Sequence, residues 1–176
     1  MREQGSVHYV RKSDELILFI EGEVTAHLAQ SMYAHLAEDL DPPSFSRIYA
    51  ELSEASYVDS TTIGTFIKLK KILERHEGVL ILCNPSEKVK RILSDMHLLT
   101  YFTVTDSSAL QALRRDVLTR ISPDHKDLLS ADYLLDAHRA IVQEAPHLQQ
   151  EFDALIKALE AQTLAQSSSG ESDRNH

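Results

Sequence analysis

The chain has 176 residues, with 18 basic and 27 acidic side chains, and its formal net charge is −9. An acidic chain lacks the positive field that attracts phosphate backbones, so direct nucleic-acid binding is not expected. The hydrophobic fraction of 43% is that of a globular protein and excludes disorder as the main state. No apolar stretch approaches the ~20 residues that cross a bilayer, and no signal peptide is evident, so we expect a cytoplasmic protein without membrane insertion.

The first elements of the chain form a predicted hairpin followed by a helix. Two β-type runs, residues 7–11 and 16–20, are separated by a short polar turn. The second run is apolar at every position, which is typical of a strand covered on both faces. An apolar stripe with a spacing of four then predicts a helix, and its members are Leu28, Met32, Leu36 and Leu40.

The alternation of strands and helices continues after this helix. Residues 48–52 have a strand period, and the residues after Ser60 follow a helical period that ends near Gly78. The apolar run Val79–Cys83 predicts a buried strand, in which Cys83 is expected to be an inert core thiol. These patterns predict a strand, a helix and a further strand in succession.

The last elements of this part complete the prediction of the fold class. Asn84 and Pro85 suit the N-cap and first position of a helix whose apolar stripe includes Val89 and Leu93. Residues 100–104 predict a short closing strand. The order of elements predicts an α/β domain over residues 1–106, with a mixed, mostly parallel sheet of about four or five strands and helices packed on it.

The rest of the chain shows helical periods only. We predict a helical extension over residues 107–166 and a disordered polar tail over residues 167–176. The extension has three apolar stripes: Leu110, Leu113, Val117 and Ile121; Leu134, His138, Ile141 and Val142; and Leu148, Phe152, Leu155, Ile156 and Leu159. Such helices are marginal in isolation. Their apolar faces must therefore pack on the α/β domain, form a homo-oligomer or hold a partner helix, and the sequence leaves these alternatives open.

The turn Asp-Ser-Thr-Thr-Ile-Gly at residues 59–64 carries the most specific chemistry. It joins a strand to a helix, where unpaired backbone N–H groups and the helix dipole favour negative charge. A hydroxyl at this position can accept a phosphoryl group. The alternative is structural, with Asp59, Ser60 or Thr61 acting only as the N-cap of the helix.

The same turn, together with flanking segments, resembles a known family. Gly22-Glu23-Val24, the turn at residues 58–64 and the segment Asn84-Pro85-Ser86-Glu87 with its following helix are similar to the STAS domain of bacterial anti-sigma factor antagonists. The resemblance covers about residues 5–106. It implies that Ser60, directly after the aspartate, is phosphorylated by a serine kinase that is itself the anti-sigma factor. Thr61 is the alternative acceptor, with Asp59, Thr62 and Gly64 completing the phosphosite turn.

Two positions differ from the family pattern. The chain has Thr25 where the family often has aspartate, and Thr62 where the family usually has glycine. Either difference can alter the backbone around Ser60 or its recognition by a kinase.

Other candidate sites are weaker. Lys68, Lys70, Lys71 and Arg75 form a basic cluster on the helix after the turn, and Lys68, Lys71 and Arg75 are candidates for docking an acidic partner. A solvated helix face is the alternative for this cluster. The histidines have no metal-ligand spacing, and no glycine-rich phosphate loop or nucleophile elbow is present, so we predict no metal, no cofactor and no enzymatic activity.

The residues and the resemblance together predict a regulatory protein-binding module that switches partner when Ser60 is phosphorylated. One alternative is a STAS module that is never phosphorylated and uses the C-terminal helices for scaffolding or dimerisation. Another alternative is a sensor that binds a nucleotide or a small anion at the turn.

Overall fold

The computed structural model describes residues 4–112, 118–123 and 128–172. The strands are β1 (Ser6–Lys12), β2 (Glu15–Val24), β3 (Arg47–Glu51), β4 (Ala55–Val58), β5 (Val79–Cys83), β6 (Thr103–Thr105) and β7 (Thr119–Ile121). The helices are α1 (Ala26–Leu36), α2 (Ser60–Glu74), α3 (Glu87–Asp95), α4 (Ser108–Gln111), α5 (Ala131–Glu144) and α6 (Gln149–Ser172), with single 3₁₀ turns at Ala37–Asp39 and Pro146–Leu148.

The sheet is mixed and mostly parallel, which confirms the predicted fold class. Its order is β6-β5-β3-β2-β1-β7, and β4 pairs with the end of β2 outside this path. The β2–β3, β3–β5, β5–β6 and β2–β4 pairs are parallel, whereas β1 is antiparallel to both β2 and β7. Within the described residues the sheet has seven strands, more than predicted, because β4 and β7 are short and have little sequence signal.

The continuous apolar run of β2 is buried on both faces. Leu16, Ile17, Leu18, Phe19 and Ile20 are all at most 3% exposed. Leu16, Leu18 and Ile20 belong to the main apolar core with residues of α1 and α2, while Ile17 and Phe19 alternate with them and face the other side of the sheet. The sheet and its helices thus share one apolar core, and α2 contributes to it with Phe66, Leu69 and Leu73, among others.

Helix α3 begins later than predicted. Its N-cap is Ser86, whose hydroxyl accepts a hydrogen bond from the backbone N–H of Val89. Asn84 instead adopts a left-handed conformation with φ of 49°, and its side-chain amide donates to Glu51 Oε1 and to the Ser107 carbonyl. Asn84 and Pro85 therefore belong to the loop, because the Asn84 side chain ties the ends of two strands together.

The prediction of a helix containing Leu110 and Ile121 is wrong. Helix α4 has only four residues, and Ile121 lies in β7, where it is the register partner of Val7 in β1. Ile121 is 4% exposed, so its burial against the sheet replaces the helical packing that its spacing suggested. Leu113 and Val117 lie outside the described residues.

Helices α5 and α6 occur where the second and third apolar stripes predicted them. Ala140 and Ile141 of α5 join the core of the sheet domain, and a second small cluster lies between the two helices. Of the three alternatives for these helices, the structure has them packed on the α/β domain of their own chain. Self-association through their outer surface stays a prediction.

Helix α6 extends further than expected. Disorder was predicted from Ser167, but the helix continues to Ser172. The hydroxyls of Ser167 and Ser168 donate to the carbonyls of Thr163 and Leu164, which satisfies these polar groups within the helix. Among the described residues, no helix combines the length and the apolar character needed to span a membrane.

Candidate functional site

Asp59 fixes the turn that leads from β4 into α2. It is the N-cap of α2, with extended backbone angles of −85° and 174°. Its Oδ1 atom accepts hydrogen bonds from the backbone N–H and the hydroxyl of Thr62, each at 2.8 Å. Of the three residues considered as the N-cap, Asp59 has this role, which leaves Ser60 as the first residue of the helix.

The same carboxylate also caps α1. Thr25 is the N-cap of α1 by position but makes no side-chain capping bond. Asp59 Oδ2 instead accepts from the N–H of Ala26 at 2.7 Å. One carboxylate therefore joins the first turns of two helices. Asp59 supplies the capping acceptor that Thr25 does not, and the Thr62 hydroxyl is a second donor to Asp59 Oδ1.

Ser60 is the most accessible hydroxyl of the turn. Thr61 is 4% exposed and Thr62 is fully buried, whereas Ser60 is partly exposed. Both threonine side chains are thus directed into the protein. The structure places the predicted acceptor Ser60 at the surface edge of the turn and the alternative Thr61 inside it.

The hydroxyl of Ser60 contacts a histidine from the C-terminal helices. Its Oγ lies 3.0 Å from Nε2 of His138 in α5. The other ring nitrogen, Nδ1, lies 2.7 Å from the carbonyl oxygen of Leu134, which can only accept. In the neutral imidazole Nδ1 therefore carries the proton, so Nε2 is the acceptor and the Ser60 hydroxyl is the donor.

His138 is buried in this contact. It is 3% exposed, and its ring packs against Phe152 of α6 with the ring centroids 5.2 Å apart. The sequence analysis treated His138 as part of an apolar helical stripe. No sequence pattern could have paired it with Ser60, because 78 residues separate the two.

Gly64 lies where α2 and α5 cross. A Cβ atom at this position would be 2.3 Å from the carbonyl oxygen of Ala137. Only glycine therefore permits the two helix backbones to approach this closely. Gly64 was predicted as part of the phosphosite turn, but it lies one helical turn beyond Ser60 and serves the packing of α5.

The predicted docking lysines also contact α5. The ammonium group of Lys68 lies 4.3 Å and 5.1 Å from the ring centroids of Tyr33 and Tyr133, and 3.9 Å from Asp136 Oδ2. Burial lowers the pKa of Lys68, although the Asp136 carboxylate acts in the opposite direction. Lys68 thus bridges α1 and α5 instead of standing free in solvent.

Lys71 and Arg75 complete this face of α2. Lys71 forms an ion pair with Glu144 and donates to Gln143 Oε1 at 2.9 Å. Arg75 is exposed and lines an open cavity of about 330 Å³ between α1, α2 and α5. Of the three predicted docking residues, Arg75 is exposed, Lys68 and Lys71 are half-buried, and all three line this cavity.

The hydroxyls of Thr65 and Tyr133 form a further contact between α2 and α5. Thr65 Oγ1 donates to the Thr61 carbonyl at 2.8 Å and also contacts the hydroxyl of Tyr133. Since the Thr65 proton is used in this way, Tyr133 is the donor to Thr65. Burial raises the pKa of Tyr133, so the donor form is retained at neutral pH.

We call the residues of α2 that contact α5 the α5-facing stripe. They recur at helical spacing on one side of α2 and are Ser60, Gly64, Thr65, Lys68 and Lys71. Within the described part of the chain, no group of three or more histidine, cysteine, aspartate or glutamate side chains could hold a metal ion. Burial raises the pKa of the Cys83 thiol to about 11, which disfavours the reactive thiolate.

Comparisons with known proteins bear on this site. The family profile of the STAS domain matches residues 6–114. The chain is 29% identical over 82 residues to the anti-sigma-B factor antagonist of Listeria monocytogenes, a match that covers 47% of this chain and 71% of the relative.

Two solved structures of similar fold carry related names. The anti-sigma factor antagonist SpoIIAA in its unphosphorylated form has a TM-score of 0.54 and 20% identity, and the match covers 60% of this chain and 91% of that one. The Bacillus cell fate determinant SpoIIAA in the phosphorylated form has a TM-score of 0.51 and 19% identity, with coverages of 60% and 95%.

These comparisons confirm the resemblance that the sequence showed. The family match extends to residue 114, slightly beyond the predicted limit near residue 106, and α5 and α6 lie after its end. The site therefore combines a turn from the matched region with two helices from outside it. On the match over residues 6–114, the chain belongs to the STAS domain family.

Proposed function

We propose that the chain is a cytoplasmic anti-sigma factor antagonist that changes partner when Ser60 is phosphorylated by an anti-sigma factor serine kinase. The observation that carries the proposal is the position of Ser60, the partly exposed first residue of α2 directly after the Asp59 cap. The names of the similar proteins support the general role. The phosphorylated form of one of them supports a phosphorylation switch.

The geometry of the turn suits a phosphoryl acceptor. In the proposed reaction Ser60 Oγ bonds to the terminal phosphorus of ATP, ADP leaves, and the hydroxyl proton passes to a base of the kinase. The product would lie in the first turn of α2, where the helix dipole favours negative charge. The modification thus introduces charge without opposing the helix that carries it.

The same charge explains how binding could be switched. A phosphate adds about −1.5 to −2 charges at pH 7, beside the carboxylate of Asp59. At a protein interface this charge must be desolvated or paired. Reversing a complex from 99% bound to 1% bound requires about 5.5 kcal/mol, and a well-placed dianion can supply much of it.

Phosphopeptide mapping of the protein from its native cells tests the proposal. We expect phosphate on Ser60 and none on Thr61 or Thr62, since both threonines are buried. In vitro, the cognate kinase with ATP should label the wild-type chain and Thr61→Val, a variant of nearly equal volume, but not Ser60→Ala. Full labelling of Ser60→Ala would show that the acceptor is a different residue.

A further inference from the structure

The hydroxyl that the proposed function requires is already engaged within the chain. Ser60 donates its only hydroxyl proton to His138, and α5 lies along the rest of the α5-facing stripe. A kinase must bring the acceptor oxygen into line with the phosphorus of its bound ATP. Because α5 lies beside the Ser60 oxygen, a kinase active site that surrounds this oxygen would compete with α5 for the same space.

Several contacts on the α5-facing stripe are polar. They include the Ser60–His138 hydrogen bond, the Thr65–Tyr133 hydroxyl contact and the Lys71–Glu144 ion pair. Polar groups of this kind can exchange their partners for water or for another protein at modest cost. The apolar part of the contact comes from Ala140 and Ile141 of α5, which join the main core and would become exposed when the helix leaves.

Helices α5 and α6 also have an apolar cluster of their own. It is formed by Ala131, Leu135, Ile156 and Leu159, all at most 8% exposed, and is separate from the main core. If the two helices leave α2 together, this cluster stays buried between them. The α5–α6 pair, which we call the helical cover, can therefore move as a unit with this cluster still buried.

We propose that the helical cover is an intramolecular competitor for the Ser60 surface, and that it must leave α2 before Ser60 is phosphorylated or the partner protein binds there. This inference rests on the proposed function, because it concerns access to the same hydroxyl. The occupant of the surface in the resting protein is the chain's own α5, and the kinase competes with it for the α5-facing stripe.

Phosphate on Ser60 would keep the cover open. The Ser60 hydroxyl loses the proton that it donates to His138, and a dianion would replace it at a ring that is 3% exposed and enclosed by Phe152. A phosphate placed against this buried ring would be strongly unfavourable without full pairing. The phosphorylated chain should therefore expose His138 and the α5-facing stripe.

Hydrogen–deuterium exchange on the full chain tests the release directly, and it needs no kinase. Phosphoserine is installed at position 60 during translation, and exchange is compared with the wild type and with Ser60→Ala. We expect the amides of α5 to exchange at least about tenfold faster in the phosphoserine protein, with β2 and β3 unchanged. Ser60→Ala removes the hydrogen bond without adding charge and should give a much smaller increase.

A second variant opens the cover without any phosphate. Gly64→Ala places a Cβ 2.3 Å from the Ala137 carbonyl oxygen, while alanine favours the helical state of α2 itself. We expect faster exchange in α5 and faster phosphorylation of Ser60 by the cognate kinase. Glu74→Ala, at an exposed position near the end of the same helix, is the control and should change neither rate.

The outcomes separate this proposal from the proposed function. Unchanged protection of α5 in both the phosphoserine protein and Gly64→Ala would overturn the cover but leave phosphorylation of Ser60 possible. Faster exchange through the whole sheet would also overturn it, because the cover would then not move independently. A kinase that labels neither wild type nor Gly64→Ala at Ser60 contradicts the proposed function instead.

Discussion

The two sides of α2 meet very different surroundings. The inner side, with Phe66, Leu69 and Leu73, is at most 1% exposed and packs into the main core. The outer side is the α5-facing stripe, which meets α5 through a glycine contact, hydroxyl groups and charged groups. Water cannot replace the apolar contacts of the inner side, whereas it can replace the polar contacts of the outer side. The inner side is therefore suited to a permanent fold and the outer side to a contact that opens.

Substitution of Phe66 should have the largest effect. Phe66→Ala removes a ring that is 1% exposed and leaves a cavity in the main core. We expect the free energy of unfolding to fall by about 3–5 kcal/mol. Urea unfolding followed by circular dichroism measures it. A loss below about 1 kcal/mol would remove the distinction between the two sides of α2.

Asp59 should rank second, because it serves both helices that begin near the site. Asp59→Ala removes the acceptor for Thr62 and for Ala26, so we expect a loss of about 2 kcal/mol in the same measurement. Asp59→Asn is the matched control. It keeps one acceptor oxygen and should lose less than Asp59→Ala, and no loss at all in Asp59→Asn would show that the second hydrogen bond of the bridge contributes nothing.

The pH dependence of stability tests whether the Tyr133 hydroxyl is buried at the outer side of α2. The pKa of Tyr133 is raised by burial above the ordinary value of 10.0. Above that pH the unfolded chain releases this proton while the folded chain retains it, so stability present at lower pH is lost as the pH rises. Tyr133→Phe should cost about 1 kcal/mol at neutral pH through the lost contact with Thr65.

The pH dependence of that variant is the sharper readout. Between about pH 9 and 11 the wild type should lose more stability than Tyr133→Phe, measured by urea unfolding at each pH. The lowered pKa of Lys68 acts in the opposite direction in this range, and it is common to both proteins. Parallel curves for the two proteins would contradict the buried position of the Tyr133 hydroxyl.

Lys71 should give the smallest change. Its ion pair with Glu144 joins side chains that are 24% and 25% exposed, and pairs near the surface contribute about 0–1 kcal/mol. Lys71→Met keeps most of the aliphatic stem and removes the charge. We expect a stability change within about 1 kcal/mol. A larger loss would show that the charged contacts of the stripe contribute as much to the free energy of unfolding as core packing does.

The sequence predicted the elements whose patterns are long. The apolar run of β2, the helical period of α2 and the stripes of α5 and α6 each extend over many residues, so packing and local preference agree. Asp59 was recognised among the candidate N-caps because aspartate before a helical run has a local capping function. Its second bond, to Ala26, depends on the tertiary fold and could not be predicted.

The parts that were not predicted depend on distant pairing. β7 has three residues, too few to show a strand period, and it exists because β1 offers an edge to it. The Ser60–His138 contact joins residues 78 positions apart, and the helical period of His138 correctly indicates burial but not the partner. Likewise, Gly64 shows its role only where the backbone of α5 crosses it.

The pairing of β7 with β1 determines how far the helical cover could travel. Only the residues between Ile121 and Ala131 separate this edge strand from α5. A cover released from α2 would stay attached to β7 through the chain. Its return would therefore be intramolecular, with an effective concentration on the order of millimolar. A protein partner at micromolar concentration would then have to bind the exposed surface far more tightly than α5 does. Weak or accidental partners would therefore not bind this surface tightly enough to displace α5.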